Sequence, residues 1–227
     1  MSVAGCYVTG TDTDAGKTVA SAALLHALRA RGLRAVGMKP LASGCVHTAD
    51  GWRNDDALAL QAASDPRPRY GDVNPFALPR PVAPEFAARE AGVEVGLAPI
   101  LAAHARLAAQ ADFVLVEGVG GWLAPLAADL DQPGLVRALG VSVVLVVGMR
   151  LGCLNHARLS ARAIAADGAR LAGWLASEVD PAMALRDDNF EALRDRLPAP
   201  CLGRLHWSAA PDPAMLARAL DPGPLLA

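Results

Sequence analysis

The sequence predicts an α/β protein built on a single doubly wound, mostly parallel sheet flanked by helices. Three observations predict it. Strand-like apolar runs alternate with helical stretches, without a long linker or a repeat, as successive β-α-β units require. The run 113–116 is continuously apolar, and 141–147 is so but for Ser142, the pattern of strands buried on both faces. The 227-residue chain is 53% hydrophobic but only 4% aromatic, so Ala, Leu and Val make the core. Such small side chains let helices pack closely on a sheet.

The elements follow in order. Residues 5–9 read as the first strand. A helix over 18–31, rich in Ala and Leu, ends at Gly32. Residues 33–38 form the second strand. Asn54 suits the N-cap of a helix over 55–63. The proline-rich stretch 66–84 cannot be regular helix; it is a lid or a structural crossover. Residues 85–90 make a helical turn and 97–110 a helix. After the strands 113–116 and 141–147 comes a helix over 154–166, closed near Gly168. A strand over 171–179 is broken by Asp180-Pro181, and a helix over 186–197, a strand over 201–205 and a helix over 213–220 follow. A single domain spanning 1–227 is expected.

Composition excludes several classes. At 19% charged, with 21 basic and 23 acidic residues and a formal net charge of −2, the chain is no disordered segment. It also lacks the basic tract of a sequence-independent nucleic-acid binder. Its most apolar run, 141–149, is too short for a membrane span, which takes about 20 residues. With no basic leader at the N-terminus, a cytoplasmic location with no membrane partner is expected. Cys6, Cys45, Cys153 and Cys201 are dispersed, with no C-x-x-C pair, and fit reduced thiols better than disulfides or a zinc site. The 5 histidines show no metal-ligand spacing.

In open α/β sheets ligands bind beyond the carboxyl ends of the strands. After the first strand comes Gly10-Thr11-Asp12-Thr13-Asp14-Ala15-Gly16-Lys17-Thr18, then a helix. Gly-Lys-Thr between a strand and a helix is the ending of a nucleotide phosphate loop. Backbone N–H groups and the helix N-terminus supply positive potential there. Lys17 reaches the β- and γ-phosphates, and the Thr18 hydroxyl binds Mg²⁺. The spacing departs from the standard motif, because Thr11 stands where the first glycine is usual.

Lys39-Pro40 follows the second strand at the same rim. A lone lysine there reads as a solvated surface residue; paired with Lys17 it can neutralise a transferring phosphoryl group and an anionic acceptor. Asp55 and Asp56 open a helix. The helix dipole explains one of them, and the other is free to bind Mg²⁺. Glu117 follows the strand 113–116 and precedes Gly118-Val119-Gly120-Gly121, the region of a Walker B acid. Mg²⁺ takes one or two carboxylates plus phosphate oxygens. Asn155-His156 opens the helix after 141–149, where Asn155 alone reads as an N-cap.

Six ordered motifs resemble those of the dethiobiotin synthetase family, ATP-dependent enzymes with a P-loop NTPase-like fold. They are Gly10-Thr11-Asp12-Thr13 with Gly16-Lys17-Thr18, Lys39-Pro40 with Ala42-Ser43-Gly44, Asn54-Asp55-Asp56-Ala57-Leu58, Val73-Asn74-Pro75, Val116-Glu117-Gly118 with Gly120-Gly121-Trp122, and Leu151-Gly152-Cys153-Leu154-Asn155-His156. The resemblance implies a reaction in which 7,8-diaminononanoate takes up CO₂, supplied as bicarbonate, to form a carbamate. ATP converts the carbamate to a carbamic-phosphoric anhydride, and ring closure gives dethiobiotin, ADP and phosphate. Holding two anions together calls for cations and hydrogen-bond donors.

The resemblance also implies roles. Asp14, Ala15, Gly16, Lys17, Thr18 and Val19 bind nucleotide, with Ser177 and Glu178 at the base. Lys17 and Lys39 are the catalytic cations. Thr18, Asp56 and Glu117 hold Mg²⁺; Asp56 is chosen over Asp55 because it directly precedes Ala57-Leu58-Ala59-Leu60. Thr13, Lys39 and Ser43 meet the diamine and carbamate. Gly152, Cys153, Leu154 and Asn155 reach the substrate across the interface of a homodimer. One departure stands out: Ala176-Ser177 replaces the Ala-Asn whose asparagine reads adenine. A hydroxyl lacks the two-sided amide, so tolerance of other nucleoside triphosphates is expected. The rival reading is a partitioning or targeting ATPase acting as a nucleotide switch. Those proteins typically carry an extra lysine where Thr11 stands.

Overall fold

The computed structural model describes residues 4–226. Its central sheet contains β1 (Ala4–Gly10), β2 (Ala35–Met38), β3 (Phe113–Gly121), β4 (Ser142–Met149), β5 (Leu171–Glu178) and β6 (Cys201–Leu205). Their spatial order is β6-β5-β4-β1-β3-β2. Every pairing is parallel, so the expected mostly parallel sheet is wholly parallel. Chain order reverses at β1, which lies between β3 and β4, and the crevice beyond such a reversal is where α/β sheets bind ligands.

The helices are α1 (Lys17–Ala30), α2 (Asp55–Ala63), α3 (Tyr70–Val73), α4 (Pro84–Ala91), α5 (Leu97–Ala108), α6 (Gln132–Leu139), α7 (Cys153–Ala166), α8 (Arg186–Arg196) and α9 (Pro213–Leu216). Side chains alternate across each strand, and this decides which helix each residue meets. Leu115, Val144 and Val146 pack with Leu24, Leu25 and Leu28 of α1 and Leu60 of α2. Their neighbours Val114 and Val116 pack with Ile100 and Leu107 of α5 on the other face. Leu145 and Val147 meet Cys153, Ala157 and Ala161 of α7. Leu24, Leu25 and Leu28 are fully buried, each contributing about 1.5–3 kcal/mol.

Several boundaries differ from expectation for identifiable reasons. The strand expected over 113–116 continues to Gly121, because Glu117 is accommodated inside it. The stretch 66–84 contains the one-turn α3 and a short strand, Phe76–Ala77, paired with Leu41–Ala42; its prolines flank these pieces. The helix expected over 213–220 is α9 followed by a 3₁₀ turn, Ala217–Ala219. Helix α6 was not expected, since Pro133 and Gly134 resemble breakers. Pro133 sits in its first turn, where a missing N–H costs nothing, and the Asp131 side chain caps it by accepting from the Gly134 N–H at 2.7 Å. Among the described residues, no helix is long and apolar enough to cross a membrane, and the four cysteines are free thiols.

Candidate active site

The loop between β1 and α1 is built from backbone geometry. Asp14 and Gly16 adopt left-handed conformations, with φ of 56° and 82°, which curl the chain and turn successive N–H groups inward. Gly16 lies against Ser177, and any Cβ added to it would collide with the Ser177 hydroxyl. The loop is tied to β4 twice: the Thr11 N–H donates to the Val146 carbonyl at 2.9 Å, and the Gly148 N–H to the Thr11 hydroxyl at 3.2 Å. Arg150, just past β4, donates to the Asp12 carboxylate and the Thr13 carbonyl, both at 3.2 Å. Lys17 folds back over the loop, its Nζ donating to the Asp12 carbonyl at 2.9 Å.

Register brings the remaining charges together. Met38 of β2 pairs with Val116 of β3, so Lys39 leaves β2 beside Glu117. Glu117 points to the face opposite Val116, the face of α1, where the Thr18 hydroxyl donates to its Oε1 at 2.9 Å. The Lys39 Nζ donates to Glu117 Oε1 at 2.7 Å, to Asp56 Oδ2 at 2.8 Å and to the Gly118 carbonyl at 3.3 Å. Lys39 is 4% exposed and Glu117 0%.

Burial pulls the Lys39 ammonium down, but the facing Glu117 and Asp56 carboxylates outweigh it and hold its pKa above the usual value. Burial raises Asp56, but the Lys39 ammonium, the Thr18 hydroxyl and the Lys17 charge together outweigh it and keep Asp56 below its usual value. Lys17 is lowered by burial and by repulsion from Lys39. Lys39 is therefore a permanent cation on a rigid mount rather than a group that exchanges its proton near neutral pH.

These groups border a cavity of about 580 Å³. It brings together Thr13, Asp14, Gly16, Lys17, Thr18, Val19, Lys39, Ser43 and Asp56. Glu117 does not line it but is bonded to Thr18 and Lys39, which do. The oxygen donors fit a hard divalent cation. Thr18, Asp56 and Glu117 converge, and Glu117 Oε2 is buried without a hydrogen-bond partner among the described residues. No group of three or more His, Cys, Asp or Glu among the described residues could hold a metal alone. Mg²⁺ takes one or two carboxylates and fills the rest of its shell with phosphate oxygens and water.

Other expected residues lie outside the cavity. Ala15 is buried behind the loop, against Gly148, and Ser177 is behind Gly16. Glu178 commits both oxygens to the chain itself. Oε1 accepts from Arg204 at 2.7 Å and faces His206 Nδ1 at 3.0 Å; Oε2 accepts from Arg186 at 2.9 Å and the Trp207 N–H at 3.1 Å. Burial raises the Glu178 pKa, but the Trp207 N–H and Arg204 outweigh it and hold it below its usual value. A carboxylate so held binds fewer protons folded than unfolded. Its stabilisation is complete above the ordinary glutamate value and is lost as pH falls toward the folded one. Glu178→Gln should therefore flatten the acid side of a melting-temperature profile below about pH 4.5; an unchanged profile would refute this.

Gly152, at φ 96°, is the N-cap of α7, and Cys153, Leu154 and Asn155 form the first turn of that helix, so Asn155 is not its cap. They do not line this chain's own cavity. Cys153 packs inward at 1% exposure, while Leu151 beside it is 95% exposed.

Sequence reasoning missed Gln132. It is wholly buried, accepts from the Tyr7 hydroxyl at 2.8 Å and donates to the carbonyls of Val119 and Gly121. It thereby fixes the segment after Glu117 whose Val119 and Gly120 form a cavity wall. A glutamine in the first turn of a helix carries no signal for such a role. Arg150 was missed as well, although its place just past a strand end could have flagged it.

Comparison with known proteins places the chain. Residues 4–214 match the AAA domain family. The chain is 63% identical over 215 residues to the ATP-dependent dethiobiotin synthetase BioD of Xanthomonas euvesicatoria pv. vesicatoria (strain 85-10), covering 95% of this chain and 96% of that one. It is 61% identical over 223 residues to the protein of the same name from Xylella fastidiosa (strain 9a5c), covering 98% and 99%. Among solved structures, it is similar to the signal recognition particle receptor FtsY from Elizabethkingia anophelis, with TM-score 0.53 and 16% identity over 95% of this chain and 64% of that one. The GDP complex of that receptor gives TM-score 0.54 over 94% and 59%. The chain thus spans under two thirds of the receptor's length, and this likeness speaks for the fold alone. With a phosphate loop, a wholly parallel P-loop sheet and these near-full-length relatives, the chain belongs to the ATP-dependent dethiobiotin synthetase family of ligases.

Proposed function

We propose that this chain is a single-domain cytoplasmic enzyme that closes the cyclic urea of dethiobiotin from 7,8-diaminononanoate, CO₂ and ATP. One amine adds to CO₂, forming a C–N bond and releasing a proton. A carbamate oxygen attacks the γ-phosphorus, and the bond to ADP breaks. The second amine attacks the carbonyl of the carbamic-phosphoric anhydride, forming the second C–N bond and giving up a proton as phosphate leaves with the mixed anhydride's oxygen.

One observation carries the reading. The Lys39 ammonium, held at 2.7 Å from Glu117 and 2.8 Å from Asp56, faces the same cavity as the phosphate loop and the Ser43 and Thr13 hydroxyls. A fixed cation between an anionic acceptor and a γ-phosphate offsets the charge that keeps them apart. Lys17 holds the phosphates, and the N–H groups of Asp14, Ala15, Gly16, Thr18 and Val19 cradle them. Thr18, Asp56 and Glu117 would hold Mg²⁺, which neutralises phosphate charge when bound. Ser43 and Thr13 orient the diamine and carbamate. Gly152, Cys153, Leu154 and Asn155 serve the cavity of a second copy in a homodimer. Support for that is that none of them lines their own chain's cavity, and that Leu151 beside them is exposed.

Incubation with the diamine, bicarbonate, Mg²⁺ and ATP should give the cyclic urea with one ADP per ring; no urea product would overturn the reading. Ser177 beside Gly16 offers a base one hydroxyl in place of an amide. CTP and GTP are therefore expected to support turnover near the ATP rate, and loss of turnover with both would refute this.

A further inference from the structure

The chain from Lys39 to Asp56 passes through the buried Leu41–Ala42, paired with Phe76–Ala77, and then the hairpin Val46–Thr48 and Gly51–Arg53, whose first strand is exposed throughout. The exposed hairpin does not hold the two side chains at their 2.8 Å contact. The segment of α3 grips the backbone beside both. The Lys39 N–H donates to the Val73 carbonyl at 2.8 Å. The Asn74 amide, 3% exposed, donates to the Lys39 carbonyl at 2.7 Å and to the Phe76 carbonyl at 3.2 Å. Its oxygen accepts from the Tyr70 hydroxyl at 3.2 Å. That hydroxyl accepts from the Asn54 N–H at 2.8 Å, and Asn54 caps α2 through the Ala57 N–H at 3.3 Å. Asp56 stands in the first turn of that helix.

We propose that Tyr70 and Asn74 are positioning residues that fix Lys39 against Asp56 by grasping the backbone at both ends of the pair. The inference rests on the role given to Lys39 above. Every polar atom of the strap is used in one sense only. The Asn74 amide donates both hydrogens to carbonyls, and the Tyr70 hydroxyl has one donor behind it and one acceptor ahead. A flipped amide would set oxygen against two carbonyls, so the orientation is unique. The same residues leave the nucleotide loop untouched, because that loop is tied to β4. The strap therefore acts on the Lys39–Asp56 pair, and reaches ATP only through the Mg²⁺ that Asp56 would hold. Misplacing a reacting group by about 1 Å costs on the order of 10²-fold in rate, and a loosened strap should cost part of that.

Tyr70→Phe tests this. It deletes the hydroxyl and keeps the ring, over which the Arg53 guanidinium stacks at 4.2 Å. The expected result is a fall in kcat of about tenfold with the KM for ATP within about twofold. Asn74→Ala should give the same split, with melting followed for both variants so that an unfolded protein is not mistaken for a slow one. The decisive reading is a double-mutant cycle with Lys39→Gln. If the strap works through Lys39, Tyr70→Phe should slow the Lys39→Gln enzyme less than about twofold. A tenfold loss that persists in that background means a merely structural role and overturns the proposal. Lys39→Gln slow with Tyr70→Phe at the wild-type rate overturns the strap alone. Lys39→Gln at the wild-type rate overturns both the strap and the role of Lys39.

Discussion

Lys39→Gln should slow dethiobiotin formation by about 10²–10³-fold, the scale of removing one fixed charge-stabilising donor from a dry site. The KM for ATP should move little, because the nucleotide is held by the β1–α1 loop. Glutamine is the informative replacement. The Lys39 ammonium faces Glu117, which is 0% exposed, and stripping a partner from a buried carboxylate costs about 3–5 kcal/mol. Glutamine still offers a donor to that carboxylate, whereas alanine offers none. Lys39→Ala should therefore melt well below Lys39→Gln, while both lose turnover. Equal melting temperatures would mean that Glu117 does not depend on Lys39 for its burial, and a normal rate in Lys39→Gln would remove Lys39 from the chemistry.

Lys17→Ala should remove most activity, about 10²-fold or more, through the weakened hold on the phosphates. Unlike the Lys39 change it should leave melting unchanged or slightly raised. The Lys17 ammonium has one hydrogen-bond partner, the Asp12 carbonyl, and burial and repulsion from Lys39 already lower its pKa. Its charge is thus held at a cost in the free protein, as in sites that trade stability for activity. Parallel measurement of ATP affinity, turnover and melting checks this. A large drop in melting temperature would show that Lys17 supports the fold.

The two lysines also show what sequence patterns report and what they miss. The rule that strand ends carry function singled out Lys17, Thr18, Lys39 and Glu117, the family resemblance chose Asp56 over Asp55, and the fold brings these five together. The rule worked because a parallel sheet aligns the ends of its strands. Apolar runs and caps likewise identified the sheet strands and α2 with its Asn54 cap. Glu117 was placed after its strand because a charge normally ends an apolar run; it lies inside β3 because Thr18 and Lys39, distant in sequence, compensate it. Tyr70, Asn74 and Gln132 act through hydrogen bonds from side chain to distant backbone. Nothing in the residues around them encodes such contacts. Asn74 stands in the motif Val73-Asn74-Pro75, but the proline-rich stretch concealed its contacts and Tyr70 with them, and an apparent breaker pair concealed the helix that carries Gln132.

The order of strands in the sheet has a consequence for how the molecule is made. β1 pairs Ala4 with Phe113 on one side and Cys6 with Ser142 on the other. A ribosome that has released β1 must therefore continue through β4 before both of its neighbours exist. Until then the apolar faces of β1 and α1 have no complete sheet to cover them. Non-local parallel pairing of this kind slows folding, and transiently exposed strand edges invite aggregation. The hazard is therefore greatest before β4 has been made, although the finished sheet leaves β1 in its interior, protected on both sides.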